Sequence, residues 1–408
     1  MDSMAKLALT AVWMALLIIR RVKLIYVMST AALVLGLLFG FGPPAIVKHI
    51  LLGLLSPATI TLVLTLAAVM VLERVMEEQE IMQRLVDRAQ EALPDPRVAV
   101  ATLPAFMGLL PSLGGAVISC PMVDQASAGL AADAERKGYL NYWFRHSLEY
   151  WVPLYPGVVL VGSILEMDLG PFITWGLPFS LFTVVVGAIV GFHGIKSVGM
   201  ELTQVVARSN RWQAWVAFLK EAWPITTIIG LVLIVKINVA LATGLVLLIL
   251  FVNYRYSKGD ILHLLKVLRE SDIILTIMAI MAFRSILEAS GAVSAMPEVF
   301  ATMGISPLVA IMALPFFAGL LTGSSSGLVG ISFPLIHGLL AVSGTVNAKW
   351  AALAYAAGKS GLMLSPLHLC FPLSTTYFSA NAGKVWLRVA VSEAVVLGLG
   401  VILYLYFV

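Results

Sequence analysis

The chain has 408 residues, of which 60% are hydrophobic and 12% charged, and its mean hydropathy is +0.97. Soluble domains carry about a quarter of their residues as charged side chains, so this composition excludes an ordinary soluble protein. The net charge of +4 does not indicate a nucleic-acid partner, because the cations follow a membrane topology described below. The two cysteines, Cys120 and Cys370, have neither disulfide-framework nor metal-ligand spacing, so buried thiols and no metal are expected.

The first apolar stretch, residues 7–19, is followed by Arg20, Arg21 and Lys23 and has no small-residue cleavage site. It therefore predicts a helix and not a signal peptide. Uncharged runs at 25–41, 51–72 and 172–192 reach the roughly 17–25 residues that cross a bilayer core, and 389–408 contains a single acid, Glu393. Lipid cannot satisfy backbone polar groups, so these runs must be helical.

Each half of the chain has the same order of segments. The first half predicts three apolar helices, an amphipathic segment, a broken apolar segment, a Pro-interrupted helix and a final span, near 6–20, 23–42, 57–73, 74–92, 98–132, 139–166 and 171–194. The second half repeats this order near 221–236, 238–253, 272–289, 291–304, 307–341, 347–378 and 383–407. The broken segments are too short on each side to cross twice, which indicates re-entrant hairpins.

Sequence similarity supports this duplication. LPAFMGLLPSLGGAVISCP from Leu103 resembles LPFFAGLLTGSSSGLVGISFP from Leu314, and HSLEYWVPL from His146 resembles KSGLMLSPL from Lys359. The repeat covers about residues 4–195 and 221–408. Five crossings per half would invert the second half, so we predict an all-α integral membrane protein with about ten transmembrane helices and two hairpins.

The cations test this topology. With that number of crossings, one face holds most of the arginines and lysines, and the other holds only Lys6, Lys48, Lys236 and Lys349. The positive-inside rule makes the crowded face cytoplasmic. We therefore expect a multi-pass protein of the cell inner (plasma) membrane, with both termini outside the cytoplasm and Arg284 and Lys359 at membrane depth.

The hairpin tips are the first candidate site, because paired broken helices in inverted repeats mark the binding sites of transporters. Glycines let the backbone approach a ligand, and helix N-termini attract anions. Packing of small residues is the alternative explanation. The tip residues predicted to bind substrate are Ser112, Gly114, Gly115, Thr322, Ser324, Ser325 and Ser326.

The proline breaks and the nearby ionisable residues complete the predicted site. His146 and Lys359 precede the breaks at Pro153 and Pro366 and would supply positive charge to an anionic substrate, with Ser360 and Ser365 alongside. The candidates for coupling to an ion are Asp124, Glu149 and His337. A Na⁺ site near the tips and breaks is the alternative to a coupled proton, and no other cofactor is expected.

Other interpretations remain open from the residues. Gly323 to Gly327 match the G-x-S-x-G motif of serine hydrolases, but that motif needs a strand before it, and an apolar helical run precedes it here. An anion channel or a lipid-handling protein would also fit the inverted repeat. Arg284 and Glu288 lie one turn apart and predict a structural ion pair.

The layout and the LPxFxGLLPSLGGA motif at residues 103–116 resemble the membrane family called domain of unknown function 401, over essentially the full length. That family is grouped with the ion transporter superfamily, whose members carry citrate, other dicarboxylates, gluconate and arsenite. The resemblance implies a homodimer, no enzymatic activity, and an elevator mechanism. Carriers in the superfamily hold carboxylate and Na⁺ with Ser-Asn-Thr motifs, whereas neither tip here has an Asn.

The implied domains are a first scaffold half (1–97), a first transport half (98–195), a cytoplasmic linker (196–220), a second scaffold half (221–306) and a second transport half (307–408). The hairpin domain would move as a rigid body. The function expected is secondary active transport of a small anion, with an organic carboxylate as the expected class, coupled to Na⁺ or H⁺.

Overall fold

The computed structural model describes residues 3–92, 95–108, 115–195, 211–270, 272–342 and 345–406. Apart from one antiparallel pairing of β1 (Ala341–Val342) with β2 (Thr345–Val346), the chain within these ranges consists of helices and loops. The predicted all-α class is confirmed.

The first half contains ten α-helices in the described ranges, followed here in chain order: α1 (Ser3–Ile19), α2 (Leu24–Leu38), α3 (Pro43–Leu54), α4 (Pro57–Glu78), α5 (Ile81–Ala92), α6 (Pro96–Met107), α7 (Gly115–Ala126), α8 (Ala134–Arg145), α9 (Pro156–Leu165) and α10 (Leu169–Phe192). A short 3-10 helix, Ser127–Gly129, follows α7.

The second half continues with α11 (Arg211–Glu221), α12 (Trp223–Leu233), α13 (Val239–Asn253), α14 (Lys258–Leu264), α15 (Val267–Glu270), α16 (Ile273–Ala289), α17 (Ala292–Thr302), α18 (Pro307–Thr322), α19 (Ser325–Leu340), α20 (Ala348–Leu364), α21 (Cys370–Tyr377) and α22 (Ala382–Tyr406). Helices α3, α11, α14 and α15 were not predicted, and α11 lies almost wholly within the predicted linker 196–220. Helix α4 extends five residues beyond the predicted end at residue 73, to Glu78.

Three of these helices, α4, α10 and α22, are long and apolar enough to cross a membrane. Helices α11 and α12 are bent by 69° at their junction and make a fourth such segment if they form one span. Seven further apolar helices have 10–17 residues. This is consistent with a membrane protein, and the number of about ten crossings stays a prediction.

Local sequence explains many of the helix ends. Proline occupies the first helical turn of α3, α6, α12 and α18. Backbone N–H groups in the first turn have no acceptor within the helix, so proline, which lacks an N–H, costs no helical hydrogen bond there. Asp95, Asp133, Asn238 and Asn347 each accept a backbone N–H as N-cap residues. At the predicted corner near residues 20–23, Arg21 has φ +58°, in the left-handed region that ends helices.

The chain divides into two compact units. The first comprises residues 1–67, 156–175 and 265–367. Within it, α16 packs on α2 and α3, α18 packs on α19 and α20, and α19 packs on α9. Its most buried side chains are apolar and include Leu35, Ile280 and Phe333.

The second unit comprises residues 68–155, 176–264 and 368–408. Within it, α6 packs on α7 and α8, α11 packs on α5, and α21 and α22 pack on α8. Helix α8 is the centre of this unit, with Tyr139, Tyr142 and Trp143 fully buried. Tyr139 is hydrogen-bonded to Ser392 at 2.8 Å, and the Trp143 indole N–H donates to the Thr183 carbonyl oxygen at 2.8 Å.

Candidate functional site

The second predicted hairpin consists of two helices, α18 and α19, of 16 residues each. Sixteen residues span about 24 Å, less than the roughly 30 Å of a bilayer core. Gly323 ends α18 with φ +60°, a conformation that glycine adopts without strain. Ser324 is the N-cap of α19 and accepts the Gly327 N–H at 3.1 Å. The hairpin therefore reverses direction within two residues.

The turn at Ser324 is preceded by a helix. A hydrolase nucleophile elbow places its serine on a turn between a strand and a helix, so the local geometry here differs from that motif. Side chains around the turn form hydrogen bonds within the hairpin itself. The Thr322 hydroxyl donates to the Ala318 carbonyl oxygen at 2.7 Å, and Ser326 is half-buried in the first turn of α19.

The tip of the second hairpin lies against the first turn of α9. A methyl group placed at Gly157 would lie 2.8 Å from the Ser325 Cβ, 3.3 Å from the Ser325 hydroxyl oxygen and 2.8 Å from the Tyr355 hydroxyl oxygen. The N-terminal ends of α9 and α19 are thus neighbours, with a phenol beside them. The first N–H groups of a helix have no acceptor inside it, so two sets of such donors lie close together.

Helix α20 packs against α18 at backbone distance. A Cβ at Gly319 would collide with the Gly358 carbonyl oxygen, and a Cβ at Gly361 would collide with the Phe316 carbonyl oxygen. These glycines bring Lys359, which is only 2% exposed, into the interior of the first unit. Lys359 follows Tyr355 by one turn and shares its face of α20.

The remaining predicted residues of this half lie along the same helices. The Ser360 hydroxyl donates to the Ala356 carbonyl oxygen at 3.1 Å, so it is used within α20. Ser365 is buried at the C-terminal end of α20, where its hydroxyl accepts the Leu367 N–H at 3.2 Å. His337 is half-buried in the last turn of α19.

The first predicted hairpin is described only in part. Ser112 and Gly114 lie outside the described residues, and Gly115 is the first residue of α7. Helix α6 packs on α8 so closely that a Cβ at Gly108 would collide with the Arg145 carbonyl oxygen. Asp124, at the end of α7, is 48% exposed and accepts a 2.7 Å hydrogen bond from Lys137. Asp124 therefore forms a local ion pair with Lys137.

The structure pairs two of the predicted residues, His146 and Glu149. His146 is the C-cap of α8 and 3% exposed, and its Nδ1 lies 2.6 Å from a Glu149 carboxylate oxygen. Its Nε2 lies 3.1 Å from the Nε2 of His368, in the break before α21. The nitrogens of His146 and His368 and the sulfur of Cys370 all lie within 4.8 Å of one another.

Sequence reasoning missed His368 and Cys370. Cys370 was expected to be a buried thiol without a role, yet it is only partly buried and belongs to this group of potential ligands. The missed signal is the H-x-C spacing of residues 368–370 directly after the Pro366 break, the break that the repeat pairs with the one after His146.

The predicted pair of Arg284 and Glu288 is confirmed, with the Nε–Oε1 distance at 2.6 Å. Arg284 also donates to Glu166 at 2.6 Å and to the Ser163 carbonyl oxygen at 2.9 Å. The three side chains border a cavity of about 430 Å³ whose other lining residues include Ser56 and Ser285. One arginine between two carboxylates leaves a formal charge of −1, which does not suit an anion.

A smaller cavity of about 260 Å³ lies at the loop beginning with Tyr254. The Tyr256 hydroxyl accepts a hydrogen bond from Gln79 at 3.0 Å. Hydrogen bonds from the Ser257 hydroxyl and N–H to Asp260 lower the pKa of that carboxyl. Arg84 bridges the same region through Glu221 at 3.0 Å. These contacts join the end of α4, α5 and α11 to the loop, so we assign this region a structural role.

The chain belongs to a family described as protein of unknown function (DUF401), whose model matches residues 2–407. This confirms the family that the sequence resembles over its whole length. A comparison with curated proteins finds no match.

Proposed function

We propose that this member of the DUF401 family is a secondary active transporter that moves a small anion across the membrane, with organic carboxylates as the substrate class. In this proposal the anion binds beside Gly157, Ser325 and Tyr355. The movement is of the elevator type, and the protein works as a homodimer. Coupling is to Na⁺ or H⁺.

The single observation that carries the proposal is the approach of two helix N-termini within the first unit. Gly157 lies in the first turn of α9 and Ser325 in the first turn of α19. A methyl group added to Gly157 would contact the Ser325 side chain, so the two turns lie close together. A helix N-terminus carries partial positive charge and N–H groups that have no acceptor within the helix, which makes it a site for anions. Transporters place such interrupted helices around the carboxylate of a substrate.

The neighbouring side chains suit the same ligand. Tyr355 presents a hydroxyl, which can donate to a carboxylate oxygen, and Ser325 presents a second one. Lys359 lies one turn along α20 from Tyr355 and adds a buried cation to that face. His146, the other predicted cation, is instead hydrogen-bonded to Glu149, so any positive charge on its ring is offset there.

Two contacts support the inverted repeat on which the elevator mechanism depends. The sequence alignment pairs Gly108 with Gly319 and Arg145 with Gly358. In the structure, Gly108 abuts the Arg145 carbonyl and Gly319 abuts the Gly358 carbonyl. The same helix–helix approach thus occurs at matching positions of both halves, each within its own unit.

Coupling to Na⁺ or H⁺ remains a proposal with three candidate residues. Glu149 is 14% exposed and bonded to His146, whereas Asp124 is half-exposed and paired with Lys137. His337 lies in the second arm of the hairpin that carries Ser325. Of the two carboxylates, Glu149 is the more buried, at 14% exposed against 48% for Asp124.

Thermal unfolding of the purified protein tests binding directly. The panel comprises mono-, di- and tricarboxylates, phosphate, sulfate and neutral sugars, in sodium and choline buffers at two pH values. A ligand at 100 times its Kd stabilises the native state by about 2.7 kcal/mol. We expect stabilisation by a carboxylate, strengthened by Na⁺ or by low pH. Stabilisation by neutral solutes or lipids alone would contradict the proposal and favour a lipid-handling protein.

A further inference from the structure

The second unit contains a group of side chains that the transport proposal does not use. His146 lies at the C-terminal end of α8, His368 in the break before α21, and Cys370 is the first residue of α21. Their ring nitrogens and sulfur lie within 4.8 Å of one another, although His146 and Cys370 are far apart in sequence. From this geometry we infer that His146, His368 and Cys370 form a binding site for a transition-metal ion of the Zn²⁺ class.

The distances suit a tetrahedral ion. Bond lengths of about 2.0–2.1 Å to nitrogen and 2.3 Å to sulfur place two nitrogens about 3.3 Å apart and a nitrogen about 3.6 Å from the sulfur. The two Nε2 atoms are 3.1 Å apart, close to that spacing. The sulfur lies within 4.8 Å of both nitrogens, so a shortening of each nitrogen–sulfur distance by up to about 1.2 Å reaches the spacing of a tetrahedral site.

Glu149 prepares His146 for this role. A carboxylate only accepts hydrogen bonds, so its 2.6 Å contact with Nδ1 places the His146 proton on that nitrogen. The Nε2 lone pair is then directed toward His368 and Cys370. Carboxylates that bond the outer nitrogen of a histidine ligand in this way fix its tautomer and orientation in known metal sites.

Aromatic packing holds the two rings in place. Tyr142, fully buried, lies edge-on to the His146 ring at a centroid distance of 5.2 Å and contacts the His368 ring at 5.7 Å. The two imidazoles themselves are 4.8 Å apart with an interplanar angle of 64°. Ligands whose rotamers are fixed by their neighbours lose little entropy when an ion binds.

The donor set selects the class of metal. One thiolate and two imidazoles suit Zn²⁺ and copper, whereas Ca²⁺ and Mg²⁺ need oxygen ligands. Three protein ligands leave a fourth position for water or an anion. The ion would join the end of α8 to the start of α21. This assignment does not rest on transport, and it replaces the sequence expectation that Cys370 has no role.

Cobalt binding to the purified, chelator-treated full chain tests the site. We expect one Co²⁺ per chain, with visible bands of tetrahedral cobalt and a thiolate-to-cobalt charge-transfer band, both removed by Zn²⁺. Cys370→Ala and His368→Ala should lose the charge-transfer band or weaken binding by more than tenfold. Glu149→Gln should keep the band and weaken affinity about 10–100-fold. Cys120→Ala is the matched control and should bind cobalt as the unaltered protein does.

A second measurement does not depend on the folding of the ligand variants. In the Cys120→Ala protein, Cys370 is the remaining cysteine, and Zn²⁺ should slow its alkylation by a maleimide at least tenfold. Unchanged alkylation with Zn²⁺, or no tetrahedral cobalt spectrum in the unaltered protein, would overturn the assignment. A thiol that alkylates rapidly whether or not Zn²⁺ is present would instead be a reactive cysteine beside two histidines.

Discussion

Gly157 occupies the closest point between the first turns of α9 and α19. Its missing side chain leaves room for the Ser325 and Tyr355 side chains, each within 2.8 Å of where a Cβ would stand. Ser325 was predicted because tip residues are marked by their own sequence, Gly-Ser-Ser-Ser-Gly. Gly157 and Tyr355 were not, because their closeness depends on three segments meeting through tertiary packing.

Gly157→Ala should therefore weaken anion binding at the proposed site. The added methyl group displaces Ser325 or Tyr355, and we expect a loss of about tenfold or more, equivalent to about 1.4 kcal/mol. Carboxylate titration followed by thermal unfolding measures the change. Gly398→Ala is the matched control, since a Cβ there meets nothing within 4 Å. Equal affinity in both variants would remove Gly157 from the site.

Arg284 is the second residue with a clear expected effect. Arg284→Met removes its bonds to Glu166, Glu288 and the Ser163 carbonyl. We expect a loss of about 1.5–3 kcal/mol of stability, since hydrogen bonds to charged groups contribute on this scale. Thermal or denaturant unfolding in detergent measures it.

The control for Arg284 is Lys23→Met. Lys23 pairs with Asp272 at 2.6 Å, but both side chains are more than half exposed. Exposed pairs contribute at most about 1 kcal/mol. If the two substitutions destabilised the protein equally, the network around the buried Arg284 would not have the structural role assigned to it.

At the scale of elements, the contact between α18 and α20 is the feature that holds the second hairpin. Its boundaries were predicted well, at 307–341 against an observed Pro307–Leu340 for the two arms. Ser306 and Ser324 begin these helices and Gly323 ends the first of them; all three act locally and can be read from sequence. Helix α3 was missed because its last residues merge with the apolar run that continues into α4.

Gly319→Ala should separate α18 from α20. The new Cβ collides with a backbone carbonyl, which cannot rotate away as a side chain can, so we expect a destabilisation of about 1–3 kcal/mol or more. Gly244→Ala in α13 is the control. A Cβ there meets nothing within 4 Å, and replacing a helical glycine should be neutral or stabilise by about 0.5–1 kcal/mol. Unfolding that is unaffected by Gly319→Ala would contradict the close packing.

The His146–His368–Cys370 cluster shows why part of the second unit could not be predicted. His146 and Glu149 lie three residues apart and were both singled out by sequence as ionisable groups near a break. Cys370 comes from the other half of the chain, and no spacing rule relates it to His146. By the repeat alignment, Tyr142 and Cys370 correspond to Tyr355 and Gly157, so the proposed metal site and the proposed anion site involve matching positions of the two halves.

At the scale of the whole molecule, the apolar composition and the family were available from sequence, while the number of crossings was not settled by helix length. Within the described part of the chain, three helices reach the length and hydropathy of a full span, because proline and glycine divide many of the apolar runs into shorter helices. The orientation rests on the distribution of arginine and lysine.

A topology experiment checks that orientation. Alkaline phosphatase fused to the C-terminus should be active, because both termini are predicted outside the cytoplasm, and a fusion within residues 196–220, the predicted cytoplasmic linker, should be inactive. Activity in both fusions would contradict an odd number of crossings in the second half, and activity in the linker fusion alone would reverse the predicted orientation.

Uptake of a labelled carboxylate into proteoliposomes tests the central claim most directly. The protein is reconstituted, and uptake is followed with and without an inward gradient of Na⁺ or H⁺. We predict saturable uptake that exceeds the equilibrium level only when a gradient is present, with Gly157→Ala impaired and Gly398→Ala unimpaired. Flux that rises linearly with concentration and never exceeds equilibrium would identify a channel and contradict secondary active transport.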